Sequence, residues 1–86
     1  MVEVIWTNKA HHQLRKLPSP EAANIVHQAE VLSKWPKIPG VVKIVSRDNE
    51  YRLKIGRYRL IFSVGTSGRI TLISVEEVVK RNERTY

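Results

Sequence analysis

YRLKIGRYRLIF, residues 51–62, is the stretch that decides the fold of this chain. Its apolar residues alternate with polar ones, which is the period of a β-strand with one buried face. Gly56-Arg57 interrupts the alternation, and a glycine supplies the positive φ that a two-residue hairpin loop requires. The stretch therefore predicts a β-hairpin. Its facing pairs are Ile55 and Tyr58, Lys54 and Arg59, Leu53 and Leu60, Arg52 and Ile61, and Tyr51 and Phe62.

The two faces of this hairpin differ in character. One face carries apolar and aromatic side chains for a core, whereas the other sets Lys54 across from Arg59, with Arg52 two residues away. Like charges directly opposite each other cost from a few tenths to about 1 kcal/mol. Two explanations fit this pattern: a solvated basic surface, or an anion site at which a bound phosphate offsets the repulsion.

The charge of the whole chain favours an anionic partner. Its 86 residues include 15 Lys and Arg against 8 Asp and Glu, a net charge of +7. Residues 51–75 hold five basic side chains and no acidic one. A field of this sign attracts polyanions, phosphate backbones above all, or an acidic protein. At this length we expect one domain over residues 1–86.

Two further totals narrow the class of protein. The chain contains no cysteine, so we expect neither a disulfide nor a thiolate site, which fits a reducing compartment. No apolar run approaches the roughly 20 residues of a membrane span, and the first residues lack the order of a signal peptide. We therefore expect a cytoplasmic protein with no membrane partner.

The first half of the chain predicts a strand followed by two helices. Residues 2–6, VEVIW, alternate as a short strand, and Thr7 or Asn8 is suited to cap a helix. A second helix begins with Ser19 as its N-cap, carries an apolar stripe and ends at Pro36. The members of the predicted stripe are Ala22, Ile25, Val26, Ala29 and Leu32.

The second half of the chain changes to the period of strands. Strands are predicted at residues 41–45 and in the hairpin, followed by a turn at 65–68 and a last strand that ends at Val75. This order predicts an α+β fold, with an N-terminal strand and a two-helix hairpin packed on a small antiparallel β-sheet. Residues 76–86, EEVVKRNERTY, form either a short last helix or an ordered extension.

The histidines do not read as a catalytic pair. His11 and His12 are adjacent, so their side chains point in different directions on a helix, and His27 lies beside the apolar stripe. The acidic residues lack the spacing of metal ligands. We expect surface histidines, no metal site, and Trp6 and Trp35 in the core or at its edge.

Several motifs together resemble the RelE/ParE superfamily of bacterial toxin–antitoxin systems. They are the first-helix pattern of Trp6, Ala10, Leu14, Lys16 and Leu17, the block YRLKIGRYRLIFSV at 51–64, the strand LISV, and a basic tail that ends in Tyr86. The resemblance covers nearly the whole chain and implies a single RelE-like toxin domain over residues 1–86. ParE-like gyrase inhibitors share much of the block, so it is more specific for the superfamily than for an activity.

The RelE branch of this superfamily cleaves messenger RNA in the ribosomal A site and needs no metal or other cofactor. The resemblance implies that the catalytic positions are Lys54, Arg59, Arg81 and Tyr86. The implied RNA-binding positions are Arg52, Arg57, Lys80 and Arg84. Arg52 stands where the family has a lysine. Because the spacing of the tail also differs slightly, Lys80 or Arg84 is an alternative to Arg81.

Three functions are compatible with these residues. The first is a ribosome-dependent endoribonuclease toxin whose partners are a cognate protein antitoxin, the ribosome with its RNA, and mRNA. The second is a ParE-like toxin that binds DNA gyrase without cleaving RNA, in which Arg81 and Tyr86 are not expected. The third is a nucleic-acid-binding or inactive member of the superfamily.

Overall fold

The computed structural model of the chain describes residues 1–45 and 48–80. Within these ranges, two α-helices cover one face of a five-stranded sheet, which confirms the predicted α+β class. The elements are β1 Val2–Trp6, α1 Asn8–Arg15, α2 Ser19–Ala29, a 3-10 helix Glu30–Lys34, β2 Val41–Lys43, β3 Glu50–Ile55, β4 Tyr58–Ser67 and β5 Ile70–Lys80. None of the helices in the described part of the chain is long and apolar enough to cross a bilayer.

The sheet combines an antiparallel meander with one parallel strand. Its spatial order is β1-β5-β4-β3-β2, and β2 to β5 are antiparallel neighbours in chain order. β1 adds to the free edge of β5 in parallel, with Val4 opposite Ile73. The sequence predicted β1 itself and the antiparallel part, and the structure adds the position of β1.

The hairpin between β3 and β4 has the predicted register. Ile55 faces Tyr58 and Lys54 faces Arg59, and every other predicted pair is present as well. Gly56 has a φ of 56°, the left-handed backbone for which glycine is suited. The apolar residues of the hairpin therefore lie on one face of the sheet, and the basic residues Arg52, Lys54 and Arg59 lie on the other.

The core lies between the helices and the inner face of this sheet. Three aromatic rings pack together at this core: Trp35 contacts Tyr51 and Phe62 edge-on at centroid distances of 4.8 and 5.8 Å, and the latter two rings stack at 5.7 Å. Phe62 is fully buried. Trp6 and Trp35 are partly buried against the core, as predicted.

Helix α1 is capped as the sequence indicates. The Thr7 hydroxyl accepts a hydrogen bond of 3.1 Å from the Ala10 backbone N–H. The same hydroxyl donates to the Glu76 carbonyl, also at 3.1 Å, which ties the helix start to β5. Further along α1, Gln13 Oε1 accepts a hydrogen bond of 2.6 Å from the Val78 N–H. Thr7 and Gln13 thus provide hydrogen-bond partners for the backbone of β5 beyond Val75, where β1 no longer pairs with it.

Two expectations for the second helix are wrong. Ser19 is the first helical residue and not the N-cap, because extended Pro18 occupies the cap position and makes no side-chain cap bond. Val26 is 45 % exposed and does not belong to the buried stripe, whereas Ile25 and Leu32 do. Leu32 reaches the core from the 3-10 helix, since the α-helix itself ends at Ala29.

The limits of two predicted strands also differ. β2 ends at Lys43 and does not extend to residue 45. The turn predicted at residues 65–68 lies later, because β4 continues to Ser67 and Gly68, with a φ of 59°, begins the reversal. The long β4–β5 ladder supplies the backbone hydrogen bonds that hold those residues in a strand.

The last strand does not end at Val75. β5 continues to Lys80, so residues 76–80 form an ordered extension of this strand and not a helix. Its register with β4 shifts between Ile61 and Phe62, which leaves Glu76 as the extra residue of a β-bulge. The sequence carries no turn or helix-start signal at residues 76–80, and pairing with β4 continues the strand through them.

Candidate phosphate-binding site

One face of the sheet is not covered by the α-helices, and we call it the open face. Arg52 and Lys54 point to this face from β3, because Leu53 and Ile55 between and beyond them are buried in the core. Arg59 reaches it from β4, directly opposite Lys54. The alternation of each strand therefore delivers three cationic side chains to one region.

These three side chains line a common cavity. It has a volume of about 190 Å³, and its lining residues are Gly40, Val42, Arg52, Lys54 and Arg59. Arg59 is only 8 % exposed, Arg52 is half-buried and Lys54 is exposed. Three of the eight predicted site residues are therefore brought together by the fold.

The electrostatics of this cavity suit an anion. Attraction between unlike charges grows as water is excluded, and the burial of Arg59 places its guanidinium in such a setting. Arginine keeps its charge at all accessible pH values and can hold two phosphate oxygens at once. Lys54 adds a point charge from the opposite strand. A phosphate bound here would face positive charge from two strands.

The edge strand β2 contributes two residues that the sequence analysis did not single out. Val42 lies directly opposite Arg52 in the β2–β3 register. Gly40, with a φ of 83°, turns the chain into β2 and also lines the cavity. The sequence did predict a strand that contains Val42. Which residue lies beside Val42 depends on the strand with which β2 pairs, and the alternation of residue types does not predict that partner.

The remaining predicted site residues do not line this cavity. Arg57 is exposed in the hairpin turn. Lys80 faces Tyr58 in the register and so lies on the helix side of the sheet, at the same end as the turn. The last three, Arg81, Arg84 and Tyr86, lie outside the described residues.

On the opposite, helix-covered face of the sheet, a tyrosine connects the start of β4 to α2. The Tyr58 hydroxyl donates a hydrogen bond of 2.5 Å to Glu21 Oε2 in the first turn of that helix. This hydrogen bond, followed by desolvation on burial and by the Glu21 charge, raises the pKa of the Tyr58 phenol above its ordinary value, and Arg57 acts in the opposite direction. The hydrogen bond holds the start of β4 against α2.

The histidines and the acidic residues within 1–45 and 48–80 are not among the residues that line this cavity. His11, His12 and His27 are all exposed, and His27 Nδ1 lies 3.5 Å from Glu30 Oε1 on the helical side. In residues 1–45 and 48–80, no group of three or more acidic or histidine side chains is arranged to hold a metal ion. The charged side chains that the described residues contribute to the cavity wall are therefore all cationic.

Comparison with known proteins finds similarity at the level of structure. No family model matches the sequence, and no curated protein matches it significantly. A chain of the archaeal RelE–RelB complex from Pyrococcus horikoshii OT3 has a TM-score of 0.74 and 20 % identity, over 95 % of this chain and 97 % of that one. The toxin–antitoxin complex RelBE2 from Mycobacterium tuberculosis gives 0.71 and 26 %, over 91 % and 95 %.

A ParE-type structure is similar to the same degree. The chromosomal ParDE system from P. aeruginosa matches with a TM-score of 0.73 and 19 % identity, over 95 % of this chain and 98 % of that chain. The resemblance read from the sequence motifs is therefore confirmed at the level of the fold, and the fold is common to both toxin types.

Proposed function

We propose that this chain, which has the fold of the RelE/ParE toxins, is the toxin of a bacterial type II toxin–antitoxin system and a ribosome-dependent endoribonuclease. The observation that carries the proposal is the cationic cavity on the open face. Arg52, Lys54 and Arg59 line it, and the family motifs place nuclease positions on the same three residues. Cations gathered in a cavity suit a phosphodiester, which they can hold through its charged oxygens, whereas a docking surface for a folded protein has no need of them.

The proposed reaction is attack of a ribose 2′-hydroxyl on the adjacent phosphorus. The neutral amine form of Lys54 takes the proton of the hydroxyl and becomes the cation, while the new O2′–P bond forms and the P–O5′ bond breaks. Arg59 and Arg52 neutralise the charge that builds on the phosphate oxygens. The leaving 5′-oxygen takes a proton from a general acid, for which Arg81 is the assigned candidate, so the products are a 2′,3′-cyclic phosphate and a 5′-hydroxyl. No cofactor enters these steps.

The tail completes the proposed site. Lys80, the last residue of β5, lies beside the hairpin turn, at the end of the sheet that carries the cavity. We assign Arg81 as the acid or charge stabiliser and Tyr86 as the group that stacks on a nucleotide or orients the 2′-hydroxyl. The RNA contacts outside the cavity are assigned to Arg57, Lys80 and Arg84.

The proposal includes three partners in the cytoplasm. Ribosomal RNA and mRNA are attracted by the net charge of +7. A cognate antitoxin holds the toxin inactive by covering the basic part of the open face with an acidic or amphipathic segment. Two of the similar structures are themselves toxin–antitoxin complexes, of RelE with RelB and of RelBE2.

The alternative function is inhibition of DNA gyrase. It is favoured by the ParDE structure, whose TM-score of 0.73 is close to the 0.74 of the archaeal RelE–RelB complex. In that case the cationic cavity is part of a docking surface, and removal of Lys54 weakens gyrase binding without any change in RNA cleavage.

Primer extension on an mRNA in programmed ribosomes tests the proposal. We expect A-site cuts with the wild-type protein and a loss of about 100-fold in cleavage rate for Lys54→Ala, because both a base and a charge are removed. Arg69→Ala is the matched control, since Arg69 is exposed in the β4–β5 turn at the far end of the sheet. Absence of ribosome-dependent cuts, together with gyrase-dependent DNA damage, would contradict the nuclease proposal.

A further inference from the structure

An apolar side chain forms part of the wall of the cationic cavity. Val42 lines it from β2, faces Arg52 across the strands and is 47 % exposed. Edge strands that face solvent usually carry charged side chains, which prevent pairing with another chain. A half-exposed valine beside three cations has apolar surface to bury against something else.

The cavity is small for a nucleobase together with its sugar and phosphate. Its volume is about 190 Å³. Pockets for whole drug-sized ligands begin at about 300 Å³. A phosphate and the sugar attached to it match the smaller volume, and the base then lies outside. The part of the ligand nearest the phosphate is therefore the sugar ring.

The position of Val42 fits contact with this sugar. Arg52 and Lys54 come from β3 and Arg59 from β4, so the phosphate lies over those strands. Val42 is one strand further out, on the same face, because facing residues of paired strands share a face. The carbons of a ribose provide the apolar surface that a valine can cover, whereas a phosphate does not.

We propose that Val42 is a substrate-contact residue that packs on the ribose of the nucleotide whose phosphate lies among Arg52, Lys54 and Arg59. This inference rests on the proposed function and adds the edge strand to the site. The cations determine that a phosphate binds, and Val42 determines how the sugar attached to it is placed.

Binding of two probes by NMR titration separates these contributions. The probes are inorganic phosphate and a deoxyuridine trinucleotide, which keeps the sugar ring but has no 2′-hydroxyl and stays intact. For Val42→Ala we expect trinucleotide binding to weaken about threefold to tenfold, because part of a buried apolar contact is lost. Phosphate binding stays at the wild-type level. Val42→Thr, which keeps the shape and strand preference of valine, guards against an effect on folding.

Val45→Ala is the matched control, since Val45 is 98 % exposed, near β2 and outside the cavity lining. It should change neither titration. If Val42→Ala leaves both probes unaffected while Lys54→Ala weakens both, the Val42 assignment is overturned and the proposed function stands. Equal weakening of both probes by Val42→Ala overturns the sugar contact as well. If Lys54→Ala weakens neither probe, the phosphate site itself is wrong, and the Val42 assignment falls with it.

Discussion

The two ends of the open face carry opposite charge although the same strands build both. Near the hairpin turn lies the cationic cavity, and at the other end lies a groove of about 720 Å³. Four of the eight acidic residues of the chain line that groove. They are Asp48, Glu50, Glu76 and Glu77. Between the ends, Ile61 is 9 % exposed and faces Arg52 on one side and Glu77 on the other.

The contacts at the two ends differ in kind. At the acidic end the described contacts are attractive: Glu76 accepts a hydrogen bond of 3.1 Å from the Ser63 hydroxyl, and Glu77 lies 3.2 Å from Lys9 Nζ. At the basic end the register sets Lys54 opposite Arg59, which are like charges. An anion bound between two cations would favour this arrangement of Lys54 and Arg59. The contrast therefore supports a site at the basic end and a structural role at the acidic end.

The largest expected effect comes from the core that both ends share. Phe62→Ala removes a fully buried ring and its contacts with Trp35 and Tyr51, so we expect the free energy of unfolding to fall by about 3–5 kcal/mol. Urea unfolding followed by Trp fluorescence measures the loss. Single-tryptophan variants that keep either Trp6 or Trp35 report on the two parts of the core. Separate transitions for the two would show that the ends are not one cooperative unit.

A substitution at Lys54 should separate function from stability. Lys54→Thr keeps a good strand former and removes the like charge opposite Arg59, so we expect the free energy of unfolding to rise by a few tenths to about 1 kcal/mol. Cleavage on the ribosome should fall about 100-fold in the same protein. Thermal melting and primer extension provide the two readouts. A stability loss, with activity kept, would reverse the interpretation of the basic end.

Alkaline pH should weaken the tie between the hairpin turn and α2. The folded-state pKa of Tyr58 is above that of the unfolded chain, chiefly because its hydroxyl donates to Glu21, so ionisation is harder in the folded protein. The stabilising contribution is therefore complete below the unfolded-state pKa of about 10 and is lost as the pH rises through the folded-state value. Thermal melts from pH 8 to 11 should show this loss in wild type.

Tyr58→Phe is the variant that tests this linkage. It keeps the buried ring and removes the ionisable hydroxyl, so its melting temperature should fall less steeply above pH 10 than that of wild type. Tyr51→Phe is the matched control. The Tyr51 ring also packs against the core, but within residues 1–45 and 48–80 its hydroxyl makes no hydrogen bond to an acidic residue. Parallel curves for wild type and Tyr58→Phe would remove the proposed linkage.

The smallest effect is expected at the acidic end. Glu77→Gln removes the ion pair with Lys9, whose side chain is 64 % exposed, so the free energy of unfolding should change by less than about 1 kcal/mol. Cleavage should stay close to wild type, because the residue lies outside the cationic cavity. The same two assays apply. A large drop in cleavage would mean that the acidic end belongs to the functional surface.

The local pattern was sufficient for the hairpin and its charged face. Alternation at residues 51–62 and a single glycine predicted five of the six β3–β4 pairs, because hairpin register depends on neighbours in sequence. The pattern was insufficient for β5, which continues past Val75, and for β2, which stops at Lys43. Where a strand ends depends on how far its partner accompanies it, and that partner is distant in the chain.

What the sequence by itself determined is the charge, the order of elements and the placing of Arg52, Lys54 and Arg59 on one face. These follow from composition and from a period of two residues, which act over short distances along the chain. The tertiary structure alone decided that β1 pairs with β5 and that Val42 completes the wall of the cavity. Those contacts join segments far apart in sequence, and burial of the common apolar core selects them after the local pattern has been satisfied.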